Sequence, residues 1–204
     1  MVNYDETKRS KKMLEIISNF DWAVLHWIHN TLSSPVLDYL MPKITELGDG
    51  GAIWILTGLA LMCTKKYRKN GFILIIGLAL GIVTGNFLLK NLIARSRPCW
   101  IDHSVALLIA NPSDYSFPSG HTLSSVIAAT ILTLSNKKFG LFAIPFAALI
   151  AFSRLYLYVH FPSDIFGATI IGLAIAFSIF KISRRFLTEE SVTSASVQIS
   201  CNGN

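Results

Sequence analysis

The chain has 204 residues, of which 52% are hydrophobic and 15% charged, with a formal net charge of +6 and a positive mean hydropathy. Soluble domains of this length carry more charge than that, so the composition excludes an ordinary water-soluble enzyme and points to the membrane class. The basic excess falls in short clusters between apolar runs, so no nucleic-acid partner is expected.

Residues 1–12 form a basic tail containing Lys8, Arg9, Lys11 and Lys12. The N-terminus lacks the apolar core and small-residue cleavage site of a signal peptide, so the chain is expected to insert through its own helices. Residues 13–41 combine Trp22, Leu25, Trp27, Ile28 and Leu32 with Glu15, Asp21, His26, His29 and Asp38. Those ionisable groups are costly at a bilayer centre, and the mixture predicts an N-terminal interfacial helix. The alternative is a sixth crossing, which would bring the N-terminal cations to the side of the other basic clusters.

Five apolar runs follow, at 52–64, 71–89, 122–134, 140–159 and 165–182. A spanning helix needs about 20 apolar residues. The second, fourth and fifth runs meet this, while the first and third are expected to extend into their flanks at 44–51 and 116–121. The expected fold is all-α, an integral membrane helical bundle of five transmembrane helices, with one domain over 13–187 and a polar, disordered tail over 188–204. The clusters Lys65-Lys66-Tyr67-Arg68-Lys69, Lys137-Lys138 and 181–185 fall on one side once crossings are counted. The positive-inside rule makes that side cytoplasmic, which leaves the loop 91–120 outside. Gly77, Gly81 and Gly85 recur every four residues and predict a smooth stripe for a neighbouring helix. Cys63, Cys99 and Cys201 have neither metal nor redox spacing.

Polar groups gather at the outer ends of these helices. Lys90 and Arg97 are seven residues apart, two turns on one face if the helix continues, with Pro98 favouring a break. Each cation taken alone is equally an interfacial, snorkelling one. Ser119 and Gly120 open the third helix, where free N–H groups and the dipole favour an anion; a plain N-cap is the simpler role for Ser119. His121 follows them with a titratable proton. Arg154 lies deep in an apolar run and needs an anionic partner, for which Asp164 is one candidate. His160 and Asp164 are four apart around Pro162, so the carboxylate can orient the imidazole. Cations, a helix N-terminus and two imidazoles are the parts of a phosphoryl-transfer site. The apposed loops carry no acidic cluster suited to Mg²⁺, so no metal and no cofactor is expected.

The segments KNLIARSRP (90–98), PSGH (118–121) and SRLYLYVHFPSD (153–164) fit K-x6-R-P, P-S-G-H and S-R-x5-H-x3-D, in that order. With these motifs the chain resembles the type 2 phosphatidic acid phosphatase (PAP2) superfamily, and its compact form looks most like undecaprenyl-diphosphatase-type members. Those often carry a PSDH turn, from which this chain departs at Gly120. The resemblance implies that His160 is the nucleophile forming a phosphohistidine, Asp164 its orienting partner and His121 the general acid. Lys90, Arg97, Ser119, Gly120 and Arg154 would bind phosphate, and Arg95, outside the pattern, would be a bystander. The implied substrate is a membrane lipid phosphate, most of all undecaprenyl diphosphate, with phosphatidylglycerophosphate and phosphatidic acid as alternatives. A lipid phosphotransferase using the same intermediate and a non-catalytic lipid-phosphate binder or transporter are the competing function classes.

Overall fold

The computed structural model describes residues 8–184 with their side chains, and the backbone from Tyr4 to Cys201. Every regular element among these residues is helical. In chain order they are α1 (Tyr4–Leu32), α2 (Pro35–Leu47), a short 3₁₀ turn (Asp49–Gly51), α3 (Ala52–Met62) and α4 (Arg68–Ile82). Helix α4 continues through a π-helical stretch (Val83–Leu89) into α5 (Lys90–Ile93). Then come α6 (Pro98–Ile101), α7 (Gly120–Ser135), α8 (Lys137–Tyr156) and α9 (Pro162–Cys201). The expected disorder over 188–204 falls outside the residues described in full.

Among the described residues three stretches are long and apolar enough to cross a membrane unaided: Arg68–Ile101, whose helix breaks after Ile93, Lys137–Tyr156 and Pro162–Arg184. The two short runs do not lengthen as expected. Residues 44–51 belong to α2 and the 3₁₀ turn, because Gly50 and Gly51 take left-handed backbone (φ of 57° and 74°) that breaks the helix before α3. Residues 116–119 likewise stay outside α7. Phe117-Pro118 is a cis peptide, and Ser119 is extended and accepts the Thr122 N–H as N-cap. Nor do Lys90 and Arg97 lie on one continuing helix: α5 stops at Ala94, whose φ is 48°, and Arg97 is the extended residue that opens α6.

Helix α7 is the hub, packed along α4, α8 and α9. Its buried face of Leu123, Ile127, Ile131 and Leu132 meets Leu74 and Leu78 of α4, Ala143, Ala147 and Ile150 of α8, and Ala168 and Ala176 of α9. The glycine stripe of α4 is what lets α7 approach. A Cβ on Gly81 would lie 2.6 Å from Ile127, and one on Gly77 would lie 2.9 Å from Ile131. On α3, buried Trp54 donates its Nε1–H to Ser125 of α7 at 2.9 Å, which satisfies a polar atom inside an apolar core.

The segment expected to be a single interfacial helix is two helices with a sharp joint. Ser34 caps α2 by accepting the Leu37 N–H, and Pro35 starts it. Helix α1 is not among the stretches apolar enough to span. It buries Asp21, Leu25 and Ile28, one face at helical spacing, and leaves Met13, Leu14, Ile16, Phe20 and Trp27 outside. Two of the ionisable groups that weighed against a crossing turn inward, Asp21 ion-paired to Arg95 and Asp38 accepting the Tyr156 hydroxyl at 2.5 Å, while Glu15 and His26 stay exposed. Filling the stripe should be costly: Gly81→Leu is expected to lose about 1–3 kcal/mol, measured as a lower Tm of the detergent-solubilised protein.

Candidate active site

One end of the bundle, where α4–α5 and α8 finish and α7 begins, encloses with the turn before α3 and the loop before α7 an open cavity of about 690 Å³. Its wall includes Lys90, Arg97, Gly120, His121, Arg154 and His160. Three of these are cations with almost no exposure, and buried charge must be paired or hydrogen-bonded. Lys90 and Arg97 both bind the carboxylate of Asp114, Arg97 through Nη2 at 2.6 Å. Burial works against ionisation of that carboxyl, but the bonds and charges of Lys90 and Arg97 outweigh it and hold the pKa down at about 2. Arg154 gives Nη1 to Thr45 Oγ1 at 2.6 Å. Its Nε–H is the one buried side-chain nitrogen or oxygen among the described residues with no hydrogen-bond partner.

Arg97 holds the loops together. Its Nε donates to the Asp114 carbonyl at 2.6 Å, and Nη1 donates to the Val159 carbonyl at 2.7 Å and lies 3.1 Å from His160 Nε2. A guanidinium can only donate, so Nε2 carries the lone pair and the proton of the neutral ring sits on Nδ1. Nδ1 lies 3.5 Å from Asp164 Oδ2 and 3.4 Å from Ser116 Oγ. Burial first, then the charges of Arg97, Arg154 and Lys90, push the His160 ring well below the ordinary imidazole range. The imidazole is therefore neutral, with its basic nitrogen held against Arg97 in the cavity wall. The turn that presents it depends on Tyr158, a non-glycine residue at φ 60°. That backbone costs on the order of 1 kcal/mol, and the buried ring holds it by donating its hydroxyl to Asp102 at 2.8 Å.

Asp164 is fully buried behind the imidazole. Its Oδ2 accepts from Ser116 Oγ at 2.5 Å and from the Phe161 N–H at 2.8 Å. Its Oδ1 accepts from Arg95 Nη1 at 2.6 Å. The other arm of Arg95 reaches Asp21 of α1 at 2.6 Å, and Asp21 also accepts from the N–H and hydroxyl of Ser163. Across the cavity, His121 Nε2 lies 2.7 Å from Asp49 Oδ1. Ser119 is fully buried. Its hydroxyl takes the Thr122 N–H and Thr122 Oγ1 at 3.4 and 3.0 Å.

Motifs at the ends of α5, α7 and α8 thus converge on one cavity, and a family model described as "PAP2 superfamily" matches residues 70–187, the stretch that contains all of them. The chain belongs to the PAP2 superfamily. It is 36% identical over 126 residues to an undecaprenyl-diphosphatase of Sulfolobus acidocaldarius, a match spanning 61% of each chain. It is 32% identical to the undecaprenyl-diphosphatase BcrC of Bacillus subtilis, over 72% of this chain and 76% of that one. The crystal structure of Aquifex aeolicus LpxE superposes with a TM-score of 0.71 at 27% identity, covering 79% of this chain and 95% of that one.

Among the residues singled out in this PAP2 chain, Lys90, Arg97, Gly120, His121, Arg154 and His160 share the cavity wall, and Asp164 stands behind His160. Ser119 turns its side chain to capping α7 and is not part of that wall. Two expectations are corrected. Arg95 is no bystander, since it bridges two buried carboxylates. Asp164 is not the partner of Arg154, because Arg95, Ser116 and the Phe161 amide take its oxygens. Asp114, Ser116 and Asp49 were not singled out at all. The first two sit in DYSFPSGH, just upstream of the recognised turn, and their polarity beside a phosphate-type turn was the available signal. Arg95→Ala leaves Asp21 and Asp164 without their shared cation. A loss of about 3–5 kcal/mol is expected, read by thermal unfolding in detergent.

Proposed function

We propose that the chain is an integral membrane phosphatase, independent of metal and of any cofactor, that hydrolyses a lipid phosphate, with undecaprenyl diphosphate as the favoured substrate. The observation that carries this reading is the neutral His160, its Nε2 lone pair met by Arg97 Nη1 at 3.1 Å, in the wall of a cavity that also holds Lys90, Arg97 and Arg154. Both relatives named above are undecaprenyl-diphosphatases, which favours that substrate over a phosphomonoester lipid.

In the first step, His160 Nε2 attacks phosphorus. The bond from phosphorus to the leaving oxygen breaks, and His121 gives that oxygen a proton. Lys90, Arg97, the Arg154 Nε–H and the N–H groups at Gly120 bind the phosphoryl oxygens as charge shifts onto them. Ser119 serves by capping α7 behind Gly120, and Asp164 steadies the imidazolium-like ring of the phosphohistidine. In the second step, water attacks phosphorus and loses its proton to His121. The P–N bond breaks, and inorganic phosphate leaves with His160 restored.

Residues 13–187 form the catalytic domain. The basic clusters between helices support five crossings, with the cavity on the external face and the C-terminus in the cytoplasm. The lipid tail then stays in the bilayer while the head group enters from the interface.

His160→Ala is expected to reduce phosphate release from undecaprenyl diphosphate to background, and EDTA to leave the wild-type rate unchanged. Brief incubation with labelled substrate should trap acid-labile label on wild-type protein and none on His160→Ala. A reporter fused after Arg185 should be active in the cytoplasm; activity outside the cell would reverse the orientation.

A further inference from the structure

The phosphatase reading assigns proton transfer to His121 without saying what holds that ring. The segment ELGDGGA (46–52) is built to bring one carboxylate to it. Asp49 Oδ1 lies 2.7 Å from His121 Nε2. The approach needs glycine on both sides of the aspartate. A Cβ on Gly48 would stand 2.8 Å from His121 Cδ2 and 3.0 Å from the Ile150 side chain. Gly50 meets nothing within 4 Å, but like Gly51 it has positive φ, so its requirement is conformational. Fold stability offers no account of Asp49 itself, whose side chain is 64% exposed, and an exposed ion pair contributes little to stability.

We propose that Asp49 is a positioning residue for His121, so that the site holds two histidine–carboxylate pairs, one for the nucleophile and one for the acid. The inference rests on the phosphatase reading above. A carboxylate accepts only, so the short contact requires the proton on Nε2, and Nδ1, with the Thr45 backbone as the ring's other polar neighbour, is the nitrogen left to serve the substrate. The pairing is the inverse of that at His160, where Nδ1 is the nitrogen beside the carboxylate and Nε2 meets Arg97. During phosphohistidine formation the Nδ1 proton passes to the leaving oxygen as its bond to phosphorus breaks. The neutral ring remains anchored through Nε2–H to Asp49. In the second step Nδ1 takes a proton from the attacking water, and the cycle closes.

A residue acting through the general acid has a signature that a structural residue lacks: its worth rises with the basicity of the leaving group. The test uses purified full-length protein in detergent, with an alkyl lipid phosphate and a series of aryl phosphates graded in leaving-group pKa. The readout is kcat/KM, which reports on steps up to leaving-group departure. Asp49→Asn is expected to lower kcat/KM on the alkyl substrate about 100-fold, and on the nitrophenyl member at least about 10-fold less than that. Its Tm should stay at the wild-type value. In a His121→Ala background the same substitution should add no further loss, because the two residues act as one unit. An equal loss across the series, or a full further loss on top of His121→Ala, would overturn the proposal. Wild-type protein that releases phosphate from no member of the series would overturn the phosphatase reading and this inference with it.

Discussion

The cavity end of the bundle depends on one buried guanidinium. Arg97 is 2% exposed, and a charge so placed survives only if its donors are met. They are met by backbone carbonyls of two separate loops, by the carboxylate of Asp114 and by Nε2 of His160. The loop before α7 and the turn before α9 have no regular structure of their own to hold them. Arg97 supplies the common post, and its position at the extended start of α6, just ahead of Pro98, keeps its backbone from being absorbed into a helix.

Around that post the charges interlock. Lys90 and Arg97 share Asp114, Arg95 bridges Asp21 and Asp164, and His121 meets Asp49. Arg95 joins the N-terminal helix to the carboxylate behind His160, so α1 is tied to the site although it supplies no residue to the cavity wall. Asp114 occupies the donors of Lys90 and Arg97. A phosphoryl oxygen approaching those donors competes with a carboxylate already held there, so the binding strength of the site is the difference between two ionic contacts.

Much of the site could be read from the chain because its chemistry clusters at helix ends. A lysine, two arginines, two histidines and an aspartate at set spacings beside Pro and Gly encode both a residue type and a place. The bundle was legible for a similar reason: apolar runs of spanning length have few other uses, and the glycine stripe of α4 meets α7 as its spacing implies. Other features depend on tertiary pairing that no local spacing carries. Arg95 gained its role only when α1 and α9 were brought to either side of it. Asp49 is one exposed acid in a glycine turn until His121 arrives from 72 residues away. The flanks of the short runs were misjudged because hydropathy counts apolar residues and is blind to left-handed glycines and to an extended cap.

The π-helical stretch between the glycine stripe and Lys90 sets a phase that hydropathy also cannot see. A π turn holds one residue more than an α turn, so everything beyond Leu89 is rotated by about 100° relative to an uninterrupted helix. Upstream, Gly77 and Gly81 stay in register with α7; downstream, Lys90 is turned into the cavity beside Arg97. One helix thereby serves two masters whose preferred faces disagree. The extra residue acts as a splice between a packing surface and a cavity-lining one, and a chain shortened there by one position would turn its lysine away from the cavity.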